Sequence, residues 1–391
     1  MPKLESERRG HHFLQIPGPA NMPDRVLRAM ARPLIDHRGP DFAEMTRSIL
    51  ERLQRVFKAS GPVLIYPASG HGAWEAALVN TLSPGDKVLA FENGHFAAKW
   101  CDVARRLGLN VEQVSGDWRH GVDPGDVEEK LTEDREHTIK AVLMVHTETS
   151  TGVTCAPAEV RRAIDRAGHP ALFMVDTVSS LATTDYRHDD WRVDVTISAS
   201  QKGLMLSPGL SFNVVSDKAL EAARQSQFPK AFWDWQPILS FNERGFFPYT
   251  PATSLLFGLN EALDMLLEEG LAQVFDRHAR LAEATRRAIS AWGLDIQCAN
   301  PEEYANSITG VRLPEGHDAD SLRQIVLEKF CMSLGKGLGK VEGRIFRIGH
   351  LGDFNKLMLA ATLSGVEMGL ELAGVPFEKG GVQEALKFLG S

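Results

Sequence analysis

The sequence predicts an α/β protein: a mostly parallel sheet covered by helices on both faces, followed by a smaller α+β unit at the C-terminal end. Three observations lead there. Short apolar strands such as Val63–Tyr66 and Ala171–Val175 alternate with helical patterns between residues 60 and 215. Strands with no polar alternate position belong to sheets buried on both faces. Small and polar residues gather directly after these strands, where the ligands of open parallel sheets lie. Finally, 391 residues with 43% hydrophobic and 24% charged content are enough for a large core and for two domains.

In chain order, residues 1 to about 12 read as a flexible polar arm. Phe13–Ile16 then meets Pro17-Gly18-Pro19-Ala20-Asn21-Met22-Pro23, which cannot be helix because proline lacks the amide a helix needs. Irregular backbone of this kind often lines a pocket. From Asp41 to Lys58, residues Phe42, Met45, Ile49, Leu50, Leu53, Val56 and Phe57 recur at near three-to-four spacing, which predicts a helix with one buried face. Strands are expected at 62–66, 87–91, 111–114, 139–145, 171–175, 193–197 and 211–215, with intervening helices that include Ala73–Leu82, Phe96–Leu107 and Pro157–Ala167. After a helix at about 254–268, the apolar face Val274, Phe275, His278, Leu281, Ala282, Ile289 and Trp292 describes a long packing helix, and His278 on it reads as a core histidine rather than a ligand. Ser307–Arg312, the helix Asp318–Lys329, a strand at 344–348 and a helix at about 356–373 compose the α+β unit. The expected division is an arm over 1–22, a large domain over 23–269 and a small one over 270–391.

Charge and motifs exclude several functions. A net charge of −8 with no cluster of Lys and Arg offers no footprint for nucleic acid or an anionic membrane. The four cysteines are far apart and form no C-x-x-C, which indicates neither a zinc site nor a disulfide framework and fits a reducing cytoplasm. No metal site is expected. The polar N-terminus leads into no apolar signal segment, and no uncharged apolar run approaches the ~20 residues of a spanning helix. Neither H-E-x-x-H nor G-x-S-x-G occurs. Gly335–Lys340 lacks the glycine and hydroxyl of a Walker A loop, having Leu334 and Val341 at those places, and reads as a plain loop. His11-His12 reads as solvated.

Four strand exits carry chemistry, and a fifth site lies near the C-terminus. Ser198-Ala199-Ser200-Gln201-Lys202-Gly203 follows the strand at 193–197. Lysine is rarely buried without a partner, and the small neighbours leave room at its amine. Lys202 is therefore read as the Schiff-base lysine of a pyridoxal-phosphate enzyme; a lone exposed loop lysine is the alternative that the other exits argue against. Ser69-Gly70-His71 opens a helix after 63–66, and such bare amides either bind a phosphate or merely begin the helix at an N-cap. Asp176 ends a wholly apolar strand, so its carboxylate either meets a positive partner, such as a protonated pyridine nitrogen, or caps Thr177–Ser180. His146–Gly152 follows the strand at 139–145. Arg347, boxed by Phe346 and Ile348, could fork onto a substrate carboxylate, whereas Arg344 reads as a surface ion pair.

Together these residues resemble the class V (fold type I) aminotransferases, closest to the serine/alanine–glyoxylate aminotransferase group, over roughly residues 13 to 373. The markers are Pro17-Gly18-Pro19 with Asn21 and Pro23, Ser69-Gly70-His71-Gly72 with Trp74-Glu75-Ala76, His146-x-Glu148-x-Ser150-Thr151-Gly152, Asp176 with Ser179-Ser180, Ser200-Gln201-Lys202, Tyr249-Thr250-Pro251, and Arg347-Ile348-Gly349. The resemblance implies the fold of the pyridoxal-phosphate-dependent transferases and assigns roles within it. Lys202 would hold the cofactor and move the proton, Asp176 would meet the ring nitrogen, and Thr149 would contact the hydroxyl side. Ser69, Gly70, His71 and Gln201 would bind the phosphate. Phe96 would stack on the ring where the group commonly has tryptophan. Thr250 would reach the phosphate of the neighbouring subunit in a homodimer, with Phe247 standing where the group often has a tyrosine. Arg347 would grip the α-carboxylate.

The implied reaction is a ping-pong transfer of the amino group of a small L-amino acid to glyoxylate, with serine the first choice of donor and alanine or aspartate behind it. A dicarboxylate donor would need a second cation, for which His37-Arg38 is the one plausible supplier, unless that pair is structural and tied to Asp36 or Asp41. A cysteine desulfurase-type lyase would need a nucleophilic cysteine on a loop before the arginine strand, and Cys331, between Phe330 and Met332, reads instead as a packed strand residue. A cofactor-free scaffold is at odds with the presence of Lys202, Asp176 and Arg347 together.

Overall fold

In the computed structural model, residues 11–390 are described. The chain begins with β1 (Phe13–Gln15), α1 (Asp24–Met30) and α2 (Pro40–Phe57), and then alternates through β2 (Val63–Tyr66), α3 (Gly70–Thr81), β3 (Lys87–Glu92), α4 (His95–Arg106), β4 (Asn110–Ser115), α5 (Pro124–Glu133) and β5 (Ile139–Val145). A short hairpin, β6 (Thr147–Glu148) and β7 (Val153–Thr154), precedes α6 (Pro157–Arg166), β8 (Leu172–Asp176), β9 (Val195–Ala199) and β10 (Ser211–Val215). Helices α7 (Asp217–Gln225), α8 (Trp235–Asn242), α9 (Thr253–Glu269) and α10 (Leu271–Ala291) lead to β11 (Asp295–Ile296), β12 (Ile308–Arg312), α11 (Ala319–Phe330), β13 (Met332–Lys336), β14 (Ile345–Gly349), α12 (Lys356–Leu372) and α13 (Gly381–Gly390).

The large sheet has the order β2-β10-β9-β8-β5-β3-β4. Pairs among β9, β8, β5, β3 and β4 are all parallel, while β10 runs antiparallel to both β2 and β9. Alternate residues of the central strands feed two separate cores. Ile65, Phe91, Met144, Phe173, Val175 and Phe212 join the core built with α2 and α6. Leu64, Ala90, Leu143, Met174 and Ile197 join the one built with α3 and α4. This two-sided burial is why the strands read as continuous apolar runs rather than alternating ones. A second sheet, β1-β13-β14-β12-β11, packs a third core against α10, α11 and α12.

Several expected elements shift. Phe13–Gln15, expected within the arm, is an edge strand parallel to β13; the polar arm itself falls on residues 1–10, outside the described residues, apart from His11 and His12, which are exposed. The strand expected at 193–197 runs instead from Val195 to Ala199, because the Asp194 carboxylate turns aside to accept Phe173 N at 2.8 Å and Ser216 Oγ at 2.9 Å. Helix α3 begins at Gly70 rather than Ala73, which brings its N-terminus to the strand exit. Cys331 is not a strand residue: it is the left-handed C-cap of α11 at φ 51°, half-buried, with its Sγ 3.4 Å from His12 Nδ1. His278 is a core histidine, with Nδ1 2.7 Å from Val274 O and Nε2 accepting Gly352 N at 3.0 Å. Among the described residues no helix is long and apolar enough to cross a membrane.

Candidate active site

The carboxyl ends of β2, β3, β5, β8 and β9 border one cavity of about 360 Å³, a volume suited to a small cofactor with substrate. Nine of the ten candidate residues line it: Ser69, Gly70, His71, Phe96, Thr149, Asp176, Gln201, Lys202 and Arg347. Thr250 does not. It is exposed and borders a separate, small apolar cavity with Tyr66, Phe232 and Tyr249.

Lys202 lies in the turn after β9 and is 6% exposed. Its Nζ donates to Thr149 Oγ1 and to Ser179 Oγ, both at 2.7 Å, and these two hydroxyls also bond each other. Burial first, and then the charge of Arg347, lowers the amine from its ordinary range to about 7. The Pro17–Pro19 segment passes directly over this side chain: Gly18 has φ 133°, and a Cβ added there would sit 2.8 Å from Lys202 Cε. Glycine at that position therefore answers both a strained backbone and a close approach.

Asp176, at the end of β8, is 3% exposed. Its Oδ1 accepts Val178 N and its Oδ2 accepts Trp74 Nε1, each at 2.7 Å. The capping role open to it in the sequence is thus real, but Trp74 holds the second oxygen toward the cavity. Burial pushes the carboxyl up to about 6, against the opposing pull of those two donors and of Lys202. A buried carboxylate so far above its usual range is one that a cationic group entering the cavity would stabilise.

The phosphate-type corner is formed by the first turn of α3. Ser69 is the N-cap residue but makes no side-chain cap bond, Gln201 Oε1 is buried without a partner among the described residues, and His71 packs on Trp74 at 4.4 Å between ring centroids. The helix-start amides offer donors to an anion, and the Gln201 side chain borders the same corner. On the opposite wall the Phe96 ring centroid lies 5.9 Å from Lys202 Nζ.

Arg347, at the centre of β14, is 6% exposed. Its Nε donates to Lys336 O at 2.8 Å and its Nη1 to Thr149 O at 2.7 Å, so two backbone carbonyls aim the guanidinium into the cavity. Burial lowers it to about 10, still charged at neutral pH.

Glu148 carries a role that sequence reasoning missed. This fully buried carboxylate accepts Phe96 N and Ala97 N on one oxygen, at 2.9 and 3.0 Å, and Ser150 N and Ser150 Oγ on the other, at 2.9 and 2.8 Å. It thereby caps α4 from a distant loop and ties Phe96 to the segment bearing Thr149. The sequence holds one local sign of this: Gly94, where a Cβ would fall 2.1 Å from Glu148 Cγ. Trp74 and Ser179, each inside a recognised block, were likewise without a role until their contacts to Asp176 and Lys202 were seen.

Cys331 lies outside the cavity lining, and so do His37 and Arg38. Arg38 is exposed, its amide donating to Asp36 Oδ1 at 2.9 Å.

Comparison with known proteins points in one direction. The family described as Aminotransferase class-V matches residues 12–342. A serine–glyoxylate aminotransferase of Methylorubrum extorquens is 46% identical, with 98% of this chain and 97% of that protein covered. An L-aspartate–glyoxylate aminotransferase of Paracoccus denitrificans is 44% identical over 93% of this chain and 92% of its own. Among solved structures, the ureidoglycine–glyoxylate aminotransferase of Bacillus subtilis superposes with a TM-score of 0.91 at 27% identity, covering 99% of this chain and 100% of that one.

Proposed function

This chain belongs to the class V aminotransferases, and on that premise we propose that it moves the amino group of a small L-amino acid, serine first, to glyoxylate, giving a 2-keto acid and glycine. The observation that carries the reading is the convergence of Lys202, Asp176 and Arg347 on one cavity. The cofactor of such a transaminase is pyridoxal 5'-phosphate, which when bound supplies an electron-accepting ring for the pair left as the substrate Cα–H bond breaks. The residues present fit it: a buried amine to attach the aldehyde, a buried carboxylate that desolvation holds above its usual range, and helix-start amides to meet a phosphate. Ser69, Gly70, His71 and Gln201 would hold the phosphate, Thr149 the hydroxyl side, Asp176 the ring nitrogen, and Phe96 the ring face.

Arg347 receives the donor's carboxylate and so orients the Cα–H bond. Lys202, once its amine is free, takes that proton and returns it on the cofactor side; an amine near 7 is neutral often enough to accept it. Phe96, fixed through Glu148, and the Pro17–Pro19 segment wall the site around Lys202. Hydrolysis by one water would release the keto acid and leave the amino group on the cofactor, and glyoxylate would take that amino group by the same steps in reverse, returning the water.

Among the described residues that line the cavity, Arg347 and Lys202 are the cations, and the partly buried His71 is pushed toward its neutral form by burial, which favours a small neutral donor over a dicarboxylate. The near-equal identity to a serine–glyoxylate and an L-aspartate–glyoxylate aminotransferase makes the donor the point to test. Single half-reactions followed by loss of cofactor absorbance should rank serine or alanine first and glutamate slow. Aspartate leading, with that preference alone lost in Arg38→Ala, would overturn the donor; sulfide from cysteine as the main product would overturn the chemistry.

The reading includes a cytoplasmic homodimer with shared sites. Thr250 faces outward beside the stacked pair Phe232 and Tyr249, 40% and 44% exposed, as a surface awaiting a second copy would. Phe247 packs on Phe42 of its own chain, 6.3 Å between centroids, and its ring carries no hydroxyl with which to bond a neighbour. Mixing inactive Lys202→Ala with Thr250→Asp, whose charge repels a phosphate, should leave one intact site in each hybrid dimer, or about a quarter of wild-type activity for random association. Verified hybrids without activity would count against sharing.

A further inference from the structure

The loop joining β13 to β14 closes one side of the cavity. Leu338, half-buried, lines it, and the loop then makes one turn of 3-10 helix at Gly339–Val341 before returning to β14. The path is tightly defined, since a Cβ on Gly337 would lie 2.1 Å from Val341 O and Gly339 has φ 56°. The loop is also tied across to the large sheet. Lys340 Nζ is 2.6 Å from Glu92 Oε1 and 5.2 Å from the centroid of the Trp118 ring, and Trp118 Nε1 donates to the same Glu92 oxygen at 2.9 Å. Trp118, Val341 and Ile345 form a small buried cluster beneath the tie. Glu92 ends β3, just before the helix that bears Phe96, while Lys336, two residues before Leu338, gives its carbonyl to Arg347 Nε. Leu338 is therefore seated at the Arg347 end of the cavity by contacts from both sheets.

Resting on the aminotransferase reading, we infer that Leu338 sets the size of the amino donor. With the donor's carboxylate held by Arg347, the isobutyl group of Leu338 is the ceiling over the donor's side chain, and the Lys340–Glu92–Trp118 tie keeps that ceiling down. Serine and alanine fit beneath it; a longer chain has to displace it. An apolar ceiling also presents no charge to a second carboxylate.

The test uses holoenzyme in two ways: kcat/KM for L-norvaline relative to L-alanine, and calorimetric binding of the unreactive acids pentanoate and propanoate. Leu338→Ala should raise the norvaline-to-alanine ratio about tenfold or more, the scale on which an apolar pocket discriminates methylenes, and should move the pentanoate-to-propanoate affinity ratio in the same direction. Leu338→Phe should lower both ratios. Lys340→Met should act like Leu338→Ala but only by about a few-fold, since the lysine side chain is 56% exposed and such pairs are weak. Ratios unchanged in both Leu338 variants would overturn the inference. A wild-type protein that transfers no amino group to glyoxylate would overturn the parent reading instead, and the acid titrations would then decide this one by themselves.

Discussion

Lys202→Ala should lower glycine formation from serine and glyoxylate by about ten-thousand-fold. On the proposed mechanism two functions leave with one side chain: covalent attachment of the cofactor and transfer of the Cα proton. An ordinary lysine is overwhelmingly cationic at pH 7, but this amine, buried and beside Arg347, is lowered to about 7. The sign follows: a cation whose pKa falls is neutral above that value, so the activity that depends on the free amine should rise through about pH 7 rather than near 10. Steady-state rates over pH 5.5–9, with the variant beside wild type, are the measurement. A small primary amine such as methylamine, added to Lys202→Ala, can occupy the emptied space by Thr149 and Ser179 and should restore part of the rate. Wild-type turnover by Lys202→Ala without added amine would remove the mechanism.

Asp176→Asn should behave differently, keeping the cofactor and its visible colour while slowing proton transfer on the order of a hundredfold to a thousandfold, the usual effect of losing a preorganised charge at the reacting group. The neutral amide cannot hold a ring nitrogen protonated. Asparagine also has one acceptor where aspartate has two, so either Val178 N or Trp74 Nε1 would face an NH₂ group, a local cost of about 1–3 kcal/mol. Single-turnover rates in each half-reaction, with the thermal midpoint as control, separate the two effects. A rate within a few-fold of wild type at equal cofactor occupancy would show that the carboxylate's charge is not used.

Much of the site was readable from local pattern. An apolar strand that ends on aspartate, and another followed by Ser-Gln-Lys-Gly, mark Asp176 and Lys202 because an open parallel sheet exposes whatever follows its strands. Arg347 stood out as a charge inside an apolar strand, and His278 was readable as a core histidine from its place on a buried helix face. Cys331 was misread because an apolar neighbourhood looks the same at a helix C-cap as in a strand. Arg38 was weighed as a clamp on its charge and its place soon after the Pro17–Pro23 segment, and it lies outside the cavity of its own chain.

The strand and helix periods, the polar residues at strand exits and the arginine within its strand follow from chemistry between near neighbours, and the sequence by itself determined them. The antiparallel direction of β10, which is fully buried like the strands on either side of it, was decided only when the sheet was assembled. So was the capping of α4 by Glu148, 52 residues beyond Phe96, and the aiming of Arg347 by the carbonyl of Thr149, 198 residues away. The seating of Leu338 by Lys340 on Glu92 belongs with them. In each case the partners meet across different elements, and a hydrogen bond or ion pair between distant segments leaves no period or spacing in either one.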